Sequence, residues 1–238
     1  MAFDIQIIHW PTISAFQAYL QGVPRPAWVK GITNHNTYQP DERDWVGMAS
    51  MNAMFRFYRD TKGWDSGPNL YLCAKAPNPK DTGIWQMTPI THPGTHAGAC
   101  NKDHLGIESV GDFDRAPPSA DQYTLLITVN LLIMQHWGLP PESINVHNEC
   151  MSGRTCPGKY LTGTQIRADL SKPPPPPPTK RYRVRHRYVT QRKEDNGPPY
   201  VRELVPGEEV LVDKWYPNNR VHFADGSGFC DLADLDAL

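Results

Sequence analysis

Apolar positions in the first 170 residues follow two different periods. The run at 29–34, Val29-Lys30-Gly31-Ile32-Thr33-Asn34, predicts a short strand with His35 at its end. Met51, Met54, Phe55 and Tyr58 recur at helical spacing and predict a helix over 44–60 with that face buried. Apolar runs at 70–74, 84–88 and 105–110, bounded by Gly, Pro and Asn, predict three more strands. Ser119 with Gln122 three positions on is a capping-box signature. It opens the strongest helix, which carries Leu125, Leu126, Val129, Leu132 and Ile133 and stops at Gly138-Leu139-Pro140. A strand at 144–147 and a helix at 164–170 complete an interleaved pattern, which belongs to an α/β layer architecture.

The pattern changes after Lys172. Six consecutive prolines, Pro173 to Pro178, form a stiff polyproline spacer. A run like this also serves as a ligand for proline-binding domains, but a plausible domain on each side favours the linker. Beyond it Arg181, Arg183, Arg185 and Arg187 alternate with Tyr182, Val184, His186 and Tyr188, a strand period. Short strands are predicted at 201–205, 209–214, 220–224 and 228–231, with Pro206-Gly207, Pro217-Asn218-Asn219 and Asp225-Gly226 at turns. The expected layout is a first domain at 1–171, a linker at 172–179 and a small all-β barrel at 180–238.

A chain of 238 residues accommodates one good core and a small satellite domain. The formal net charge of -1 argues against a dedicated nucleic-acid binder. No stretch approaches the roughly 18 apolar residues of a membrane span. The N-terminus has neither a basic segment nor a long apolar run, so synthesis in the cytoplasm without a signal peptide is expected. Cys73, Cys100, Cys150, Cys156 and Cys230 form an odd, widely spaced set, which does not read as the disulfide framework of a small secreted domain.

Three distant segments carry the candidate chemistry. His35 ends the first predicted strand, Glu108 lies in Leu105-Gly106-Ile107-Glu108, and His147 is followed by Cys156-Pro157-Gly158. Two imidazoles and a thiolate hold Zn²⁺ with one tetrahedral corner open, the pattern of a catalytic site. A spare carboxylate is then available to take a proton from water. Each residue taken singly also has an ordinary reading, as a packed histidine or cysteine or as a carboxylate facing solvent.

Taken together, these pieces resemble a family. Ile32 to Thr37, Gly63-Trp64-Asp65-Ser66-Gly67-Pro68, His96-Ala97-Gly98, Asn101, Leu105 to Glu108 with Gly111, and His147 with Thr155 to Gly158 follow one another as in the zinc-dependent N-acetylmuramoyl-L-alanine amidases. That group includes phage amidase endolysins and the peptidoglycan recognition proteins. The resemblance covers residues from about 25 to 170 and implies a mixed central β-sheet flanked by helices. It implies that His35, His147 and Cys156 bind Zn²⁺, with Cys156 where some members use an aspartate. Glu108 is expected to be the general base, and Arg154, where relatives often carry a lysine, to steady the oxyanion. Asn36, Trp64, Asn69 and His96 are expected to contact substrate, while His92, His104 and His136 carry no assignment. The chain departs from many phage members at Pro68-Asn69, where a tyrosine or histidine would stand, and this places more weight on Glu108. The C-terminal part resembles bacterial SH3-like cell-wall-binding modules.

The resemblance therefore implies an endolysin-type hydrolase acting on bacterial peptidoglycan, with anionic wall polymers as a further partner of the C-terminal barrel. Neither nucleic acid nor membrane insertion is expected, the chain is expected to be a monomer, and if the source is a phage, release to the wall would depend on a holin. Two alternatives follow from the same residues: a peptidoglycan-binding protein that does not cut, and a cytoplasmic amidase that recycles soluble wall fragments.

Overall fold

The computed structural model describes residues 5–172 and, beyond them, 180–184, 190–194, 197–203, 206, 209–215, 220–223, 229–231 and 235–237. The chain forms two compact units, Met1–Lys172 and Pro173–Leu238.

The first unit is built on six strands: β1 (Ile8–Trp10), β2 (Gly31–Asn36), β3 (Leu70–Cys73), β4 (Gly83–Gln86), β5 (His104–Ser109) and β6 (Ile144–Val146). Their order across the sheet is β1-β4-β3-β5-β2-β6. β3, β5, β2 and β6 run parallel, whereas β4 is antiparallel to both β3 and β1. Five helices pack on this mixed sheet: α1 (Ile13–Gln21), α2 (Met48–Arg56), α3 (Ala120–Trp137), α4 (His147–Cys150) and α5 (Gly163–Leu170).

Strand parity divides the molecule. Successive residues of a strand point to opposite faces, so Ile32, Leu70, Leu72, Leu105 and Ile107 enter one core cluster with Phe16 and Leu20 of α1, Leu126, Val129 and Ile133 of α3, and Ile166 of α5. Tyr71 and Cys73 of β3 belong to a second cluster on the opposite face, with Trp45, Met51, Met54 and Trp85. Thr33, His35, Gly106 and Glu108 share the parity of this second face. One polar pair sits among the apolar side chains beneath α3: Asn34 Nδ2 donates to Asn130 Oδ1 (3.2 Å) and Asn130 Nδ2 donates back to Asn34 Oδ1 (3.0 Å). Both residues are fully buried, and their reciprocal bonds hold β2 in one register against α3.

α3 begins at the expected cap, since Ser119 Oγ accepts from the Gln122 N–H (3.2 Å). The reciprocal half of the capping box is absent. Gln122 Nε2 instead donates to the Leu72 carbonyl and its Oε1 accepts from the Ala74 N–H, tying the helix start to the end of β3. At the other end Gly138, with φ 63°, closes the helix in the left-handed conformation. The helix expected over 44–60 starts later, at Met48, because Gly47 takes φ 53° and Trp45 is buried, with Nε1 donating to Asp81 O. It runs on into a π-helical turn, Phe57–Thr61. β1 and α1 were not anticipated, although Thr12 caps α1 by accepting from the Ala15 N–H.

In the second unit the described strands are β7 (Lys180–Val184), β8 (Thr190–Glu194), β9 (Gly197–Glu203), β10 (Glu209–Trp215), β11 (Arg220–Phe223), β12 (Phe229–Asp231) and β13 (Leu235–Ala237). They form one sheet in the order β13-β7-β10-β11-β12-β8-β9. Arg181 and Arg183 lie in β7, while Arg185, Arg187 and the prolines of the linker fall outside the described residues.

Candidate metal centre and active site

β2 and β5 are parallel neighbours in a register that pairs His35 with Glu108. β6, on the other side of β2, ends at Val146 and hands His147 to the first position of α4. Three chain segments thus meet at the C-terminal ends of the parallel strands. The loop after α4 brings Cys156 back to the same place, where the Asn148 N–H donates to the Cys156 carbonyl (3.0 Å).

His35 Nδ1 is the centre of the arrangement. It lies 3.1 Å from His147 Nδ1, 3.6 Å from Cys156 Sγ and 4.0 Å from Glu108 Oε1. Nitrogen and sulfur ligands at ordinary zinc distances, placed on a tetrahedron, stand about 3.3–3.6 Å apart. The Cys156 distance falls in this range and the His147 distance slightly below it, so His35, His147 and Cys156 converge as a possible metal-holding group.

The electrostatics support that fit. Burial, followed by His96 and His147, holds His35 well below the usual imidazole range. Burial and the Arg154 charge lower His147. Both rings are therefore neutral and able to ligate. Burial, with Glu108 adding to it, pushes the Cys156 thiol up, so the apo site favours a thiol that a bound cation would deprotonate. Glu108 is 7 % exposed, burial raises it well above the carboxylate range, and its Oε2 has no hydrogen-bond partner. An unpaired buried carboxyl is costly, and a cation beside it restores the charged form.

The other expected residues fall in different places. Arg154 is exposed, with Nε 3.5 Å from Met151 Sδ. Asn36 is half-buried at the end of β2, and Trp64 is half-buried and stacked on Tyr58 with centroids 5.4 Å apart. Asn69 is fully buried. Its Nδ2 donates to the carbonyls of Thr88, Pro89 and His92, and its Oδ1 accepts from the Gly106 N–H (3.1 Å). These bonds use its whole amide internally, so that Asn69 braces β5 from within. His96, expected in the groove, is also buried, with Nδ1 3.0 Å from His35 Nε2 and Nε2 3.0 Å from the His104 carbonyl oxygen.

Two residues near the site were missed. Tyr71 is the register partner of Glu108 across β3 and β5, and its hydroxyl donates to that of Tyr58 (3.5 Å). Burial raises both phenols, with Glu108 contributing in each case, so both stay protonated as donors. The only signal for this in the sequence was strand parity, which becomes informative once the register is known.

Cys100 and Cys150 form a disulfide with Cα atoms 5.8 Å apart. The sequence reading, which found no disulfide framework of a small secreted domain, had not anticipated this single pairing. The bridge exists because β5 and β6 both flank β2: Cys100 lies in the turn before β5 and Cys150 at the end of the helix after β6. Cys100, Cys150 and His104 also cluster, but there the two sulfurs are bonded to each other.

A parallel-centred sheet presenting two imidazoles, a cysteine and a buried carboxyl at the C-terminal ends of its parallel strands sets the class of protein to be sought. Residues 24–159 match the family model of N-acetylmuramoyl-L-alanine amidases, and the chain belongs to that family. Among solved structures, bumblebee PGRP-SA aligns with a TM-score of 0.50 at 15% identity, over 67% of this chain and 96% of its own. This is a likeness of fold. The endolysin amidase LysCS of Clostridium intestinale aligns at 0.48 and 20% identity, over 61% of this chain and 86% of its own. A Drosophila PGRP-LB mutant in complex with tracheal cytotoxin aligns at 0.48 and 19% identity, over 71% and 86%. No curated protein matches the chain in sequence.

Proposed function

We propose that the first unit is a zinc-dependent peptidoglycan hydrolase of the endolysin type, cutting the amide between the lactyl group of N-acetylmuramic acid and L-alanine. The observation that carries this reading is the convergence on His35 Nδ1 of His147 Nδ1 at 3.1 Å and Cys156 Sγ at 3.6 Å, with the carboxyl of Glu108 at 4.0 Å.

His35, His147 and Cys156 would hold the zinc, which when bound would supply Lewis acidity to the scissile carbonyl and to water. Glu108 accepts the proton that water gives up on attack and passes it to the leaving amine nitrogen. Its buried setting raises it well above the ordinary carboxylate range, which favours holding a proton between the two steps. Arg154, exposed at the rim, offers positive charge to the developing oxyanion. Tyr58 and Tyr71 remain hydrogen-bond donors on the Glu108 side of the site. Asn36 and Trp64 are read as substrate contacts.

The C-terminal unit is read as an SH3-like wall-binding module, with Arg181 and Arg183 of β7 suited to anionic wall polymers. In this reading the enzyme is a monomer, made in a phage-infected host cytoplasm and acting on the wall after holin-dependent release.

Digestion of purified cell walls tests the reaction. New L-alanine amino groups without new reducing ends support it, whereas new reducing ends alone would mean a glycosidase. Binding to walls without any cleavage would leave the recognition role instead.

A further inference from the structure

The histidine at 96 has a role that the proposed reaction does not include. We propose that His96 is a positioning residue that sets which nitrogen of His35 is free to hold the metal, an inference that rests on the zinc reading above.

The argument is one of donors and acceptors. A backbone carbonyl only accepts hydrogen bonds. His96 Nε2 lies 3.0 Å from the His104 carbonyl oxygen, so that nitrogen carries a hydrogen. A neutral imidazole has one N–H and one lone pair, which leaves His96 Nδ1 as an acceptor. His35 Nε2 lies 3.0 Å from it and must donate. The remaining lone pair of His35 is then on Nδ1, the atom facing His147 and Cys156. The His104 carbonyl thus specifies, through His96, the tautomer of His35. The two rings meet edge to face, with centroids 5.0 Å apart and planes at 90°, so the bond also fixes the orientation of His35. Partners of this kind orient a ligand and raise its basicity.

The surroundings hold His96 in place. Asn101 Oδ1 accepts from the backbone N–H groups of His96 (2.9 Å) and Ala97 (2.6 Å). Below the ring, Gly106 leaves the space it needs, for a Cβ there would stand 2.7 Å from His96 Cγ and Cδ2. The glycine of Leu105-Gly106-Ile107-Glu108 and the asparagine at 101 therefore serve the same ring.

The test is zinc affinity of the full chain, measured by competition with a chromophoric chelator, for wild type, His96→Leu and His96→Gln. Glutamine can accept from His35 and donate to the His104 carbonyl; leucine can do neither. His96→Leu is expected to bind zinc roughly 10- to 100-fold more weakly, with His96→Gln recovering most of the loss. The visible spectrum of Co²⁺ in the site should shift in the leucine variant and return in the glutamine variant. Leucine-variant binding equal to wild type overturns the proposal, as does a glutamine variant no better than leucine. If His96→Leu fails to fold, Gly106→Ala presses on the same ring without altering any hydrogen-bonding group, and unchanged affinity there counts against it. A wild-type chain that binds no zinc overturns the ligand reading, and this proposal with it.

Discussion

His35 and Glu108 occupy paired positions on adjacent parallel strands, and their side chains leave the same face with Nδ1 and Oε1 4.0 Å apart. The strand register thus places the proposed ligand and the proposed proton acceptor side by side, while the duties proposed for them remain separable. Cys156→Ala removes a donor and is expected to lose the metal. Glu108→Gln keeps the shape and all three donors, and is expected to retain zinc while turnover on cell walls falls by roughly 10²- to 10⁴-fold. Metal analysis beside a wall-digestion assay separates the two. Full activity in Glu108→Gln would remove that residue from the mechanism.

The Cys100–Cys150 bridge spans a sequence separation of 50. Closing a loop of that length in the unfolded chain is worth about 4 kcal/mol in the chain-entropy model. The double variant Cys100→Ser/Cys150→Ser should be less stable by up to about that amount in urea unfolding. Adding reductant to wild type should lower the unfolding midpoint and leave the double variant unchanged. A wild-type midpoint indifferent to reductant would mean that the two thiols are not joined in solution.

What could be read from the sequence depended on whether the signal was local. His35 at a strand end and the cap of α3 at Ser119 were legible because the residues involved are neighbours in the chain. The bridge was not, since it follows from strand order, and β5 and β6 are brought together only by β2 between them. Tyr71 was hidden for the same reason, being opposite Glu108 only in the observed register. The internal bonds of Asn69 were hidden too, because its partners, the turn at 88–92 and the Gly106 amide, are distant in the chain. The first helix was a plain omission: Phe16 and Leu20 at helical spacing behind Thr12 were a usable signal.

The Asn34–Asn130 pair should show strong coupling. Asn130→Ala removes both reciprocal bonds and leaves the Asn34 amide buried among apolar side chains. The cost expected for such a stranded group is about 1–3 kcal/mol. Replacing both by leucine removes the stranded group and should be less destabilising than the sum of the single changes. A double-mutant cycle in urea that comes out additive would mean the pair does not hold β2 to α3.

The brace of α4 predicts a pH dependence. Glu149 accepts from Arg167 Nη1 (2.9 Å) and Nη2 (2.8 Å) and from the Val146 N–H (3.1 Å), so one carboxylate joins α4, α5 and the end of β6. The hydrogen bonds from Arg167, followed by that from Val146, hold its pKa below the ordinary carboxylate value. A folded-state pKa depressed in this way means that the unfolded chain binds the proton more readily. The brace therefore contributes fully above the unfolded pKa, and its contribution is lost as pH falls through the folded one. Arg167→Ala should lower the unfolding midpoint of the metal-free chain near neutral pH. The gap from wild type should narrow as pH falls below the carboxylate range. A gap constant from neutral to acid pH would show that Arg167 acts through packing, not through the charge on Glu149.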